Sequence, residues 1–197
     1  MTTVHALVLA AGAARRFGSP KGLADYRGRP LVRHVVESLQ QALHRRHPNA
    51  EITVVLGSDA ERLSAALDGS KARLVINSDW ELGLSSSIRA GIRSLPTSTT
   101  AVLMTLADQA LVSSEDYQNL LVAAHANPHV PAAARYADTL GVPAVFPAEY
   151  FELLCALAGD RGAGGLLQAA EGVIAVDMPS AAFDIDTPEQ LATAIRS

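Results

Sequence analysis

The first 21 residues constrain this chain more than any other stretch. Residues 4–9 form a short apolar run rich in Val and Leu, which reads as a buried strand. The run breaks into Ala10, Ala11, Gly12, Ala13 and Ala14, and then into Arg15, Arg16 and Lys21. Small residues let a backbone approach a ligand closely and turn its N–H groups toward an anion. Cations that follow can pair with phosphate oxygens. A strand feeding such a loop is what a polyphosphate site needs. By the residues alone a second reading stays open, a flexible loop whose basic side chains are solvated. Two common phosphate loops are excluded. Lys21 is followed by Gly22 and Leu23, not by the Ser or Thr of a Walker A loop, and Gly12, Gly18 and Gly22 are spaced too widely for a dinucleotide fingerprint. The missing fingerprint disfavours a reductase.

The same grammar repeats. Leu31, Val35, Leu39 and Leu43 fall at helical spacing after Pro30, and strand-like runs follow at residues 52–56, 73–76 and 101–106. Asp59 can cap a short helix reaching Leu67. A helix spans residues 117–125 behind the cap signal of Ser113 and Asp116, and residues 130–132 read as a weak edge strand. Residues 139–147 form a further strand, and so do residues 172–176. Strands alternating with helices predict an α/β fold: one three-layer, Rossmann-like domain over residues 1–197 with a mostly parallel sheet. Ligands in such folds sit at the carboxyl ends of the strands. The chain is 49% hydrophobic but 5% aromatic, so aliphatic side chains must fill the core. A net charge of −4 argues against a general nucleic-acid binder. No run suits a signal peptide or a bilayer span, and the expected location is cytoplasmic. Cys155 sits in an apolar, helix-like setting and reads as a buried, inert thiol. His44 and His47, with Arg45 and Arg46, read as a solvated helix end.

Beyond the first loop, other stretches carry chemistry. Asn77, Gly83 and the run Ser85, Ser86, Ser87 lead into a helix. Ordinary capping accounts for one serine, and the rest suit a site wall. Asp108 follows the run at 101–106, where an acidic residue can hold a cation near a ligand or serve as a turn residue. Thr187 with Gln190 makes a capping box, with Pro188 at the first helical position. That box does not require Asp184 or Asp186, whose alternate spacing can aim both carboxylates one way.

Leu9-Ala10-Ala11-Gly12, with Arg16, Gly18 and Lys21, resembles the signature loop of nucleotidyltransferases with the MobA-like, nucleotide-diphospho-sugar transferase fold. The chain is most similar to the molybdenum cofactor cytidylyltransferase type. Ala14 stands where the signature has Ser. The resemblance assigns phosphate contacts to Arg16 and Lys21, and nucleotide contacts to Leu9, Ala10, Ala11, Gly12, Asn77, Gly83, Ser85, Ser86 and Ser87. It assigns Mg²⁺ to Asp108 and Asp186, with Asp184 as a less certain partner. On the acceptor side it points to Gly141, Pro143 and Asp160. There the chain departs from the family pattern: Val142 replaces a His and Gly164 replaces an Arg, while Ala110 replaces a Pro after Asp108.

The resemblance implies transfer of a nucleoside monophosphate from CTP or another NTP to a phosphorylated acceptor such as molybdopterin, with Mg²⁺ as cofactor. Ala11 replaces the second Gly of guanylyl-transferring relatives, which favours CTP. The lost polar groups at 142 and 164 motivate a sugar phosphate or other small phosphorylated acceptor as an alternative. A non-catalytic carrier that hands a cofactor to a molybdenum enzyme is the reading from another class. No nucleic acid or membrane partner is expected.

Overall fold

Strand β1 (Val4–Ala10) is the run that opens the sequence, and the sheet is laid down on both sides of it. The computed structural model describes residues 3–14, 17–44 and 46–196. After β1 the chain forms a small hairpin, β2 (Asp25–Tyr26) and β3 (Arg29–Pro30), and then α1 (Leu31–His44). It continues through β4 (Ile52–Leu56), α2 (Ala60–Ala66), β5 (Arg73–Ile76), α3 (Leu84–Ser94), β6 (Ala101–Leu106) and α4 (Ser114–Ala126). The last part comprises β7 (Ala132–Tyr136), β8 (Thr139–Pro147), α5 (Phe151–Cys155), α6 (Gly164–Ala169), β9 (Ile174–Asp177) and α7 (Pro188–Arg196).

The main sheet runs in the order β5-β4-β1-β6-β8-β7-β9. Strand β8 is antiparallel to both neighbours, and every other pairing is parallel. The period of two along each strand divides its side chains between two cores. Val4, Ala6 and Val8 of β1 pack with α1, α2 and α4 on one face. Leu7 and Leu9 pack with α3, α5 and α6 on the other. This is the expected three-layer α/β domain with a mostly parallel sheet. A third, smaller cluster joins Tyr26, Leu31, Ala110, Ile185 and Ala194, so the hairpin and α7 close over one end of the sheet. No helix among the described residues is long and apolar enough to cross a membrane.

The stripe expected on α1 is real: Leu31, Val35, Leu39 and Leu43 are all buried. The Ser113 and Asp116 capping box forms, and so does the box of Thr187 and Gln190. Other expectations need correction. The segment read as an edge strand is β7, which begins at Ala132 and lies between β8 and β9. Its Ala132, Ala133 and Ala134 are fully buried, and their small side chains gave little apolar signal. The edge position belongs to β9, which begins at Ile174. Asp59 occupies the N-cap position of α2 but makes no side-chain cap bond. Its carboxylate accepts from the Ser58 hydroxyl at 3.3 Å and lies 3.7 Å from Arg62. Cys155 ends α5 as a free thiol that is partly rather than fully buried. His44 ends α1 in the solvent-exposed position expected of it.

Candidate functional site

Strands β4 and β6 flank β1, and the chain reverses its direction of travel across the sheet there. The carboxyl ends of β1 and β6 therefore open on a crevice where ligands bind in open α/β sheets. Asp108 lies two residues beyond β6. Gln109 fixes this turn: its amide N–H groups donate to Val142 O at 2.9 Å and Ala181 O at 3.3 Å, and its Oε1 accepts from Leu106 N–H at 3.3 Å. The segment around Asp186 is pinned from both sides. Fully buried Ile185 donates its N–H to Asp108 O at 3.2 Å. The Gln190 carbonyl accepts from the N–H groups of Asp186 and Thr187, at 2.8 and 2.9 Å. The capping box thus starts α7 and also presents Asp186 to Asp108.

Lys21, at the start of a 3-10 turn over Lys21–Leu23, bridges the two carboxylates. Its Nζ donates to Asp186 Oδ1 at 2.9 Å and to Asp108 Oδ2 in a short contact. Burial works against the ammonium charge, but Asp108 and Asp186 outweigh it and raise the Lys21 pKa. Asp184 completes the group. Loss of solvent, followed by the Asp108 charge, pushes its carboxyl up to about 6, while Lys21 pulls it down. Asp184 as a whole residue is exposed, so water screens part of this crowding.

Asp108 Oδ1 is buried and has no hydrogen-bond partner among the described residues. A bare carboxylate oxygen beside a second carboxylate is a donor set that fits a hard divalent cation. No group of three or more His, Cys, Asp or Glu residues is arranged to hold a metal among the described residues. A Mg²⁺ ion at Asp108 and Asp186 would take its remaining ligands from water and phosphate, as this ion commonly does.

The crevice is a cavity of about 700 Å³. Residues 9–14 form one wall, with Lys21, Gly22, Leu106 and Asp108 at one part and Trp80, Gly83, Leu84, Ser87 and Asp160 at another. Its described lining carries the carboxylates of Asp59, Glu81, Asp108 and Asp160 against the single ammonium of Lys21. A polyphosphate could enter such a site only with its own compensating cations. Gly12 lines the cavity, and nothing lies within 4 Å of where a Cβ would be. Packing therefore does not require glycine at this position.

The Asn77 to Ser87 segment makes the far wall. Asn77 donates its amide N–H groups to Ser86 Oγ at 2.8 Å and Ser87 Oγ at 3.0 Å. Ser87 reaches the cavity, whereas Asn77, Ser85 and Ser86 are buried and outside its lining. The serines sit in the first turn of α3 and do not serve as N-caps, since Gly83 takes that position. Gly83 adopts φ +95°, and a Cβ there would lie 2.5 Å from Asp160 Oδ1 and 2.6 Å from Gly159 C. The glycine lets the loop before α6 rest on the start of α3. Ser85 N–H donates to Gly159 O at 3.1 Å, and Arg89 donates to Cys155 O at 3.1 Å and Leu157 O at 2.9 Å, holding that loop in place.

Of the residues singled out from sequence, Leu9, Ala10, Ala11, Gly12, Lys21, Gly83, Ser87, Asp108 and Asp160 line one cavity. Asp186 joins through Lys21. Arg16 lies outside the described residues. Gly141 and Pro143 belong to β8 and are not among the lining residues; Gly141 packs instead under the Tyr136 hydroxyl. The sequence reading missed Asp59, Leu63, Trp80, Glu81 and Leu84. Trp80 alone carried a usable signal, as the chain's one tryptophan between Asn77 and Gly83.

Comparisons with known proteins agree with this architecture. Nicotine blue oxidoreductase from Paenarthrobacter nicotinovorans is 32% identical over 199 residues, covering 95% of this chain and 94% of that protein. The crystal structure of Rv0371c from Mycobacterium tuberculosis H37Rv superposes with a TM-score of 0.86 at 27% identity, over 100% of this chain and 98% of the other. A manganese complex of the same protein gives a TM-score of 0.79 at 25% identity, over 100% and 99% of the two chains. A nucleotidyl transferase from Methanothermobacter thermautotroptrophicus, Mth528, shares the fold with a TM-score of 0.83 at 21% identity, over 100% and 97%. The model of the MobA-like NTP transferase domain matches residues 6–174, and the chain belongs to that family.

Proposed function

We propose that this chain transfers a nucleoside monophosphate, CMP by preference, from an NTP to a phosphorylated acceptor, with molybdopterin favoured, and releases pyrophosphate. The observation that carries this reading is the Lys21, Asp108 and Asp186 cluster at the cavity beside the small-residue loop, with Asp108 Oδ1 unpartnered among the described residues. N–H groups near Gly12 receive the phosphates, and Lys21 neutralises them together with Arg16. Asp108 and Asp186 would hold Mg²⁺, which supplies charge neutralisation on the phosphate oxygens. An acceptor oxygen attacks the α-phosphorus as its bond to the bridging oxygen breaks, and pyrophosphate departs. Such transfer depends on positioning and charge more than on a covalent nucleophile. The manganese complex of Rv0371c supports a divalent cation in this fold. The base preference rests on Ala11, which lines the cavity where guanylyl-transferring relatives carry a second Gly, and whose methyl leaves less room for a purine.

Val142 and Gly164 favour a sugar phosphate or other small phosphorylated compound as the alternative acceptor. The identity to nicotine blue oxidoreductase favours a second reading, an oxidoreductase that uses the same cavity. Melting curves with ATP, CTP, GTP and UTP, each with Mg²⁺, test the first reading in the native chain and in Lys21→Ala. A nucleotide at about 100 times its Kd adds roughly 2.7 kcal/mol. In a chain of this size that is a rise of about 5–10 °C. A rise with CTP that Lys21→Ala abolishes, followed by acceptor-dependent pyrophosphate release, is the expected result. No rise with any NTP, together with oxidoreductase turnover of nicotine blue, would replace it with the second reading.

A further inference from the structure

Lys21, Asp108 and Gly12 account for the phosphate end of a nucleotide, yet the cavity extends past them to Leu63, Trp80 and Leu84. Trp80 begins a 3-10 turn, Trp80–Leu82, that is tied down at both ends. Asp79 N–H donates to Asn77 Oδ1 at 3.1 Å, Leu82 N–H to Asp79 O at 2.9 Å, and Gly83 N–H to Trp80 O at 3.1 Å. The root of the side chain sits against the first loop. A Cβ on Gly57 would lie 2.7 Å from Trp80 Cβ and 2.4 Å from Ala11 O, so glycine at 57 lets the turn close onto that loop. The ring is partly buried against the core of that face. Among the described residues the paired rings are Tyr26 with His34 and Phe146 with Tyr150, and Trp80 stacks on no other ring.

We propose that Trp80 is the stacking wall for the base of the bound nucleotide. This rests on the nucleotide reading above. A flat aromatic base matches a rigid indole face, and stacking tolerates any base because each has a π surface. Trp80 therefore adds affinity for the nucleoside end, while Lys21 and the first loop grip the phosphates. A residue that only filled the core would affect both ends of the ligand alike.

The chain's one tryptophan makes the native protein its own reporter. Fluorescence and calorimetric titrations with CTP and with tripolyphosphate, each with Mg²⁺, separate the two ends. The expected result is emission quenched by CTP and unchanged by tripolyphosphate. Trp80→Leu, which keeps apolar bulk, should weaken CTP about 10- to 100-fold and leave tripolyphosphate within about twofold, while Trp80→Phe restores most of the loss. CTP that binds by calorimetry with unchanged emission and equal affinity in Trp80→Leu would overturn the proposal and leave the nucleotide reading standing. Equal losses for CTP and tripolyphosphate in Trp80→Leu would assign Trp80 to structure and overturn it too. Failure of every NTP to bind the native chain would remove both readings together.

Discussion

Gly83→Ala and Gly12→Ala should separate what the fold needs from what a ligand needs. Gly83 has φ +95° and ψ −179°, a region that is open almost only to glycine. Holding alanine there costs about 1–3 kcal/mol. Its Cβ would also meet Asp160 Oδ1 at 2.5 Å and both Gly159 C and O at 2.6 Å. Two of these are backbone atoms that cannot rotate away, and forced overpacking adds about 1–3 kcal/mol. The total of roughly 2–6 kcal/mol is a large part of the stability of an ordinary domain. In a chain of this length it lowers the melting temperature by about 5–20 °C. Gly12 has open space around its missing Cβ, so Gly12→Ala should change stability by no more than about 0.5 kcal/mol. Its methyl would enter the cavity where phosphate must approach, and CTP affinity should fall by about tenfold or more. The assays are thermal melting without ligand and calorimetry with CTP and Mg²⁺. Gly83→Ala melting within about 2 °C of the native chain would refute the packing argument. Gly12→Ala binding CTP as the native chain does would refute the cradle argument.

The charge cluster yields three further outcomes. Lys21→Met removes the cation between Asp108 and Asp186 and should destabilise the metal-free protein by about 1–3 kcal/mol, since the side chains are partly exposed; Mg²⁺ should raise its melting point more than that of the native chain, and an equal rise would contradict the account. Asp184 has a folded pKa of about 6 against an ordinary 3.8, so the fold holds its proton longer than the unfolded chain does. Its ionisation therefore lowers stability increasingly from about pH 4 and fully above pH 6, by about 1 kcal/mol after solvent screening. In EDTA, Asp184→Asn should be more stable than the native chain at pH 8 and should lose that advantage by pH 4, and urea midpoints that differ equally at both pH values would reject the sign. Asp108→Asn should keep the fold but lose pyrophosphate-releasing turnover by about 10²–10³; a carrier or an oxidoreductase should tolerate it, so undiminished function in this variant would count against transfer.

The parts legible in the sequence were those whose cause is local. The strand at residues 4–9, the small-residue loop, the α1 stripe and the box of Thr187 and Gln190 each depend on neighbours a few residues away. Asp108 and Asp186 were legible as a pair through the family resemblance, and only the fold shows that the Ile185 N–H ties their segments together. What failed depended on distant partners. The alanines of β7 are buried because Ala132 and Ala134 face one core and Ala133 the other, inside the sheet, and no periodicity reports that. The serine run reads as one cap and a site wall; Gly83 takes the N-cap, and the bonds from Asn77 to Ser86 and Ser87 cross a turn that no local pattern reports. Asp160 was grouped with Gly141 and Pro143, yet it rests over Gly83 on the wall beside Trp80. Trp80 and Asp59 reach the cavity from separate elements, and their spacing in sequence follows no motif.

Family membership leaves the reaction open, because one fold carries many chemistries, and nicotine blue oxidoreductase shares nearly the whole length of this chain. The site is the better guide. An oxidoreductase could use the apolar wall of Leu63, Trp80 and Leu84 without any acidic pair. It assigns no work to Asp108 and Asp186, whose crowding must be relieved by Lys21 in the resting protein. Phosphoryl chemistry assigns them work at once. A triphosphate adds negative charge but arrives with its own divalent cation, and a cation shared with Asp108 Oδ1 would let carboxylates and phosphates occupy one crevice. The cluster is costly to the fold unless something divalent is expected there, and that cost is the strongest physical reason to favour transfer.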